Sequence, residues 1–148
     1  MSPRTRHAAA VVAVWALATP PAIAAETTVT FAAPGAPALR GYLTRPPGAG
    51  PFPAVLLLHS CLGWPFDRRQ IGETIAGWGY VALFVDDFSS RGLKESCTVD
   101  FPAATADADG ALAYLAGRPD VDRARIAVVG FSQGADTALA IAADDPRV

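Results

Sequence analysis

Arg125 to Ala143 reads RIAVVGFSQGADTALAIAA, and the way this stretch is built decides the fold. Arg125 to Val129 (RIAVV) is a short apolar run stopped by a glycine, which fits a strand buried on both faces of a parallel sheet. Gly130 to Gly134 (GFSQG) is a tight turn. Ala135 to Ala143 reads as a helix that Asp144 and Pro146 end. A reversal this sharp forces its central residue into strained backbone and crowds the neighbouring main chains, so glycine at 130 and 134 leaves the room required. The side chain lifted above the sheet is then that of Ser132. The free N–H groups at the start of the helix point to the same place and favour an oxyanion there. By itself the G-x-S-x-G spacing also fits a glycine-bounded turn whose serine caps a helix. A buried strand before it and a helix after it are the context of a nucleophile.

The upstream sequence extends this pattern. Thr27 to Phe31 (TTVTF) and Leu39 to Thr44 (LRGYLT) alternate and carry β-branched residues, so they read as an antiparallel pair at a sheet edge. Pro46 to Pro53 is a Pro/Gly loop. Ala54 to Leu58 (AVLLL) and Tyr80 to Val85 (YVALFV) are further buried strands. Between them Ile71, Ile75 and Trp78 share one helical face, Asp67 stands where it would cap that helix, and Gly77 and Gly79 would end it. Asp86 to Phe101 is a polar loop. Ala108, Ala111, Leu112 and Leu115 repeat at helical spacing before Gly117 and Pro119. Alternation of strand and helix predicts an α/β architecture, mostly parallel, with helices on both faces. The sequence stops just after a helix, where such a sheet adds its next strand, so the domain reads as incomplete at its C-terminus.

The chain has 148 residues, 51% hydrophobic and 18% charged, which is globular composition of about one domain. A net charge of -2 with scattered basic residues argues against nucleic acid as a partner. Residues 1–24 read as a signal peptide: Arg4 and Arg6 precede the apolar run Ala8 to Ala18, and Ala22-Ile23-Ala24 fits the small-x-small cleavage rule. The run is short for a span, so no stable membrane anchor is expected after cleavage. Residues 25–148 then form the folded portion of an exported protein, periplasmic or secreted. The 2 cysteines, Cys61 and Cys97, would meet an oxidising compartment, which makes a disulfide the first expectation, with two buried thiols or a reactive thiol as the alternatives.

His59 to Gly63 (HSCLG) follows the first buried strand. In sheets with such an elbow, one oxyanion N–H comes from this loop and the other from the residue after the nucleophile. The donors expected are the backbone N–H groups of Cys61 and Gln133, with Ser60 the weaker candidate. His59 reads as a brace of the loop rather than a base. Asp86 and Asp87 read as turn caps more than pocket acids. Trp64, Phe66, Phe88 and Phe131 could line an apolar acyl pocket or pack the core. The 2 histidines are His7 and His59, and none lies between Ser132 and Val148, although the partners of such a serine follow it in the order acid, then histidine. Asp136, Asp144 and Asp145 sit on or beside the elbow helix, away from the expected position of the acid.

Three stretches carry a resemblance to a known family: PAVLLLHSCLG (53–63), IAGWGYVALFVDDFSSRG (75–92) with Cys97 soon after, and DADGALAYLAGRPDVDRARIAVVGFSQG (107–134). In this order they resemble the dienelactone hydrolase family, particularly its exported bacterial members, over the first half of that family's domain. The resemblance implies an α/β-hydrolase fold, no cofactor and no metal, and hydrolysis of small-molecule esters or lactones. It places the nucleophile on Ser132 and the oxyanion donors on Gln133 and the Ser60–Cys61 loop. Two residues depart from the pattern: the family's namesakes use cysteine where this chain has Ser132, and Ser60 replaces the usual glycine after the histidine. Without an acid and a histidine after Ser132, residues 1–148 are expected to have little or no activity alone. The rival expectations are a non-catalytic exported binding module and a peptidase, lipase or thioesterase of the same fold.

Overall fold

The computed structural model describes residues 25–99, 101 and 104–148, so the expected signal peptide, residues 1–24, lies outside the described residues. The chain order is β1 (Thr27–Phe31), β2 (Leu39–Thr44), β3 (Phe52–Leu58), α1 (Arg68–Gly77), β4 (Val81–Asp86), a 3-10 turn (Ser89–Arg91), α2 (Ala104–Ala116), β5 (Val121–Gly130) and α3 (Gln133–Asp144). The strands form a 5-stranded sheet in the order β1-β2-β4-β3-β5. The β1–β2 and β2–β4 pairs are antiparallel; β3 pairs in parallel with β4 and with β5. The antiparallel pair expected at the edge is therefore there, and the parallel centre is built from the continuous apolar runs.

Period-2 alternation along the strands separates two cores. Leu56, Leu58, Leu83 and Val85 face α2, whose Ala108, Ala111, Leu112 and Leu115 pack against them together with Ile141 of α3. Leu57, Ala82 and Phe84 face the other way, toward Ile71 and Ile75 of α1 and the rings of Trp64 and Phe66. Asp67 caps α1 by accepting the amides of Arg69 and Gln70. Gly72 lets α1 settle on the sheet, because a Cβ there would stand 2.6 Å from Thr44 Oγ1.

Two expectations change. Trp78 does not continue the buried face of α1; it is the C-terminal cap and 71% exposed, at the rim of an apolar groove shared with Ile75, Val129 and Phe131. Its backbone is still αR and its amide still donates to Thr74 O, so the ring keeps the side of Ile71 and Ile75 and lines an open groove with them. The 125–129 run is not buried on both faces. Ile126 packs against the α2 side, but Val129 is 43% exposed, because among the described residues β5 pairs with β3 alone and no helix covers its other face. The apolar sequence marks a strand whose second face is open in the described residues.

Candidate active site

The register places Leu58 of β3 opposite Gly130 of β5, so the loops after both strands leave the sheet at the same edge. The amide of Phe131 donates to Leu58 O at 3.1 Å and carries the pairing into the turn. At the top of that turn Ser132 has φ 53 and ψ -118, and among the described residues it alone combines a side chain with positive φ. Such a conformation costs about 1–3 kcal/mol and persists only where the surroundings impose it. The surroundings are visible. A Cβ on Gly130 would lie 2.0 Å from Gly134 O, and a Cβ on Gly134 would lie 2.5 Å from the carbonyl oxygens of His59 and Leu58. Glycine at both positions is what allows α3 to start against the end of β3. Ser132 itself is exposed and makes no side-chain cap of α3, which removes the helix-cap explanation of the serine. The Gln133 N–H begins the helix, so it has no intrahelical acceptor.

Across from it, residues 60–63 form a small closed turn. Gly63 N–H donates to Ser60 O at 2.9 Å, and the Ser60 hydroxyl donates to Gly63 O at 2.9 Å. Cys61, in this turn, is joined to Cys97 by a disulfide. Cys61 O accepts the amide of Ser96 at 2.8 Å, and the Ser96 hydroxyl donates to Gln133 Oε1 at 2.7 Å.

His59 is buried, 8% exposed, and braces the loop rather than facing solvent. Its Nδ1 lies 2.8 Å from Ser60 O and its Nε2 2.7 Å from Asp87 Oδ1. Both neighbours are acceptors, an arrangement that the doubly protonated ring satisfies. Burial pushes the His59 pKa down, but the Asp87 carboxylate and the Ser60 carbonyl outweigh it, and the net shift is upward from 6.5. The Phe88 ring lies tilted against the imidazole with centroids 4.3 Å apart, and Trp64 meets the imidazole edge-on while donating from Nε1 to Val85 O at 3.1 Å. A cavity of about 20 Å³, room for one water, lies between His59, Asp87, Gln133 and Thr137.

The two aspartates after β4 divide. Asp86 caps the next turn, accepting the Ser89 amide at 2.9 Å and the Tyr42 hydroxyl at 3.0 Å. Burial would raise its pKa, yet these donors and the Ser89 hydroxyl hold it below the usual value. Asp87 is not a turn cap. It turns inward to His59, with Oδ1 2.7 Å from Nε2. Trp64, Phe66 and Phe131 form one aromatic cluster on the α1 side, with Phe66 and Phe131 4.8 Å apart, whereas Phe88 is buried under His59 and lines no open pocket.

Sequence reading did not single out Arg91, Ser96 or Asp107. Arg91 donates to Asp87 O and to Asp107 Oδ1, both at 2.8 Å, and Asp107 is fully buried. Burial raises the Asp107 pKa against the pull of Arg91. These contacts join the post-β4 loop to α2 and to α3, and no local spacing announces them.

A mixed sheet with a parallel centre, flanked by helices and carrying a strained serine between β5 and α3, defines the α/β-hydrolase fold. The profile of the dienelactone hydrolase family matches residues 39–148. The chain belongs to the dienelactone hydrolase family. It is 34% identical over 126 residues to "Esterase FrsA" of Enterobacter sp. (strain 638), a match covering 77% of this chain and 27% of that protein. It is 27% identical to the "Putative carboxymethylenebutenolidase" of Methylorubrum extorquens over 100% of this chain and 58% of the relative. The solved structure "m3DLH" superposes with a TM-score of 0.65 at 26% identity, over 79% of this chain and 53% of the other. The chain thus spans from about a quarter to somewhat over half the length of these proteins.

Proposed function

We propose that this chain serves as part of a hydrolase of carboxylic esters or lactones whose nucleophile is Ser132. The observation that carries the reading is the strained backbone of Ser132 held between two glycines that tolerate no Cβ. Ser132 Oγ attacks the ester carbonyl, and the N–H groups of Gln133 and Cys61 stabilise the tetrahedral oxyanion; removal of one such donor costs about 10²–10³ in rate. A serine hydroxyl needs a base to be a nucleophile at neutral pH. His59 is the one histidine among the described residues, and both its ring nitrogens are committed to Ser60 and Asp87. The reading therefore assigns the base to a group other than His59. The names of the relatives, an esterase and a putative carboxymethylenebutenolidase, agree with a small-molecule ester or lactone as substrate. Serine in place of cysteine points to simple esters before dienelactone.

Export completes the reading. Residues 1–24 act as a removable signal, and a disulfide between Cys61 and Cys97 suits a periplasmic or secreted protein. The activity is tested by hydrolysis of p-nitrophenyl butyrate by the full-length gene product against its Ser132→Ala variant. Loss of turnover in the variant supports the nucleophile, and equal turnover overturns it. Export is tested by N-terminal sequencing of the mature protein: a first residue of Ala25 supports it, and Met1 or Ser2 contradicts it.

A further inference from the structure

Oxyanion catalysis asks two amides on separate loops to aim at one point, within a fraction of an ångström. The loop holding Cys61 leaves β3, and the turn holding Gln133 leaves β5. Pairing of these strands fixes their ends at Leu58 and Gly130, and the two donor amides lie beyond those ends. Beside the aromatic contacts of Phe131 with Trp64 and Phe66, one residue hydrogen-bonds to both candidate donors. Ser96 gives its amide to Cys61 O at 2.8 Å and its hydroxyl to Gln133 Oε1 at 2.7 Å. It is 4% exposed, and the next residue, Cys97, is covalently tied to Cys61. The disulfide anchors the segment to the first loop, and the Ser96 hydroxyl reaches from that anchor to the second.

We propose that Ser96 is a positioning residue that sets the spacing between the Cys61 and Gln133 amides, acting through the Gln133 side chain and the Cys61 carbonyl. This inference rests on the proposed serine-hydrolase function. Its chemistry makes a specific demand. A misaligned oxyanion hole weakens binding of the tetrahedral state more than of the planar ester, so the loss falls on kcat and leaves KM nearly unchanged. Ser96 reaches Gln133 through its side-chain amide, so removal of either end of that hydrogen bond should have the same effect, and removal of both should add nothing.

The test uses the full-length gene product with p-nitrophenyl butyrate. Ser96→Ala and Gln133→Ala each lower kcat by about ten- to a hundredfold, with KM within a factor of about two and thermal midpoints close to wild type. The Ser96→Ala/Gln133→Ala double variant is no slower than the worse single variant. Unchanged kcat in Ser96→Ala overturns the proposal, as do multiplicative losses in the double variant or a loss carried by KM. If Ser96→Ala fails to fold, Gln133→Ala alone decides: a kcat loss at constant KM supports the bridge, and wild-type kcat refutes it. A wild-type protein that does not hydrolyse the ester and loses nothing on Ser132→Ala fails the function itself; an active wild type with an unaffected Ser96→Ala fails only the positioning role.

Discussion

At the scale of the residue, Ser132 and its two glycines concentrate the cost and the purpose of the site. The serine holds φ 53 because α3 begins hard against β3, and no side chain fits at 130 or 134. Gly130→Ala, which would bring a Cβ within 2.0 Å of a backbone oxygen, is expected to destabilise the fold by about 1–3 kcal/mol or more and to displace Ser132. Urea unfolding of the variant reads the first effect, and ester hydrolysis the second. Asp107 offers a sharper energetic test. It is fully buried, and Arg91 is its only ion-pair partner among the described residues. Arg91→Ala leaves a buried carboxylate alone and should cost about 3–5 kcal/mol, whereas Arg91→Leu with Asp107→Leu should recover most of that loss. A denaturant midpoint measured on both variants checks the sign and the recovery.

At the scale of the element, the loop after β3 is held by the contact of His59 with Asp87 as well as by its own turn. His59 bridges Ser60 O and Asp87 Oδ1, and its pKa is raised over the ordinary 6.5. A group whose folded pKa is raised contributes stability that is fully present below its unfolded value and is lost as pH rises through the folded value. The thermal midpoint of the wild type should therefore decline from about pH 6.5 upward, and His59→Gln should flatten that slope. Equal slopes in the two proteins, followed by thermal unfolding across pH, would remove His59 as the titrating brace.

Legibility differs by element for physical reasons. The β3 and β4 runs and the elbow of β5 and α3 are local patterns, and they read directly as buried strands and as a sharp turn. The inward turn of Asp87 and the Arg91–Asp107 pair depend on contacts between distant segments, so neither composition nor spacing carries them. Ser96 belongs with these: its partners Cys61 and Gln133 are local to other loops. Trp78 misleads because helical periodicity puts it beside Ile71 and Ile75 correctly, but the groove they line is open among the described residues.

At the scale of the molecule, the sheet has unlike edges. The β1 edge is a short antiparallel strand, whereas among the described residues β5 pairs on one side only and carries Val129 at 43% exposure. A strand edge without a partner is a template for association. Residues 25–148 produced alone should form concentration-dependent oligomers in size-exclusion chromatography, and Val129→Lys should shift them toward monomer. A monomer at all concentrations would show that this edge is not adhesive.

The central claim is that Ser132 is the nucleophile of an ester hydrolase, and covalent capture tests it most directly. The full-length gene product is treated with a fluorophosphonate and digested, and the adduct is located by mass spectrometry. A single phosphonyl adduct on Ser132, absent after Ser132→Ala and accompanied by loss of p-nitrophenyl butyrate hydrolysis, is the result the account predicts. An active enzyme labelled at another residue, or one whose hydrolysis survives Ser132→Ala, would contradict it.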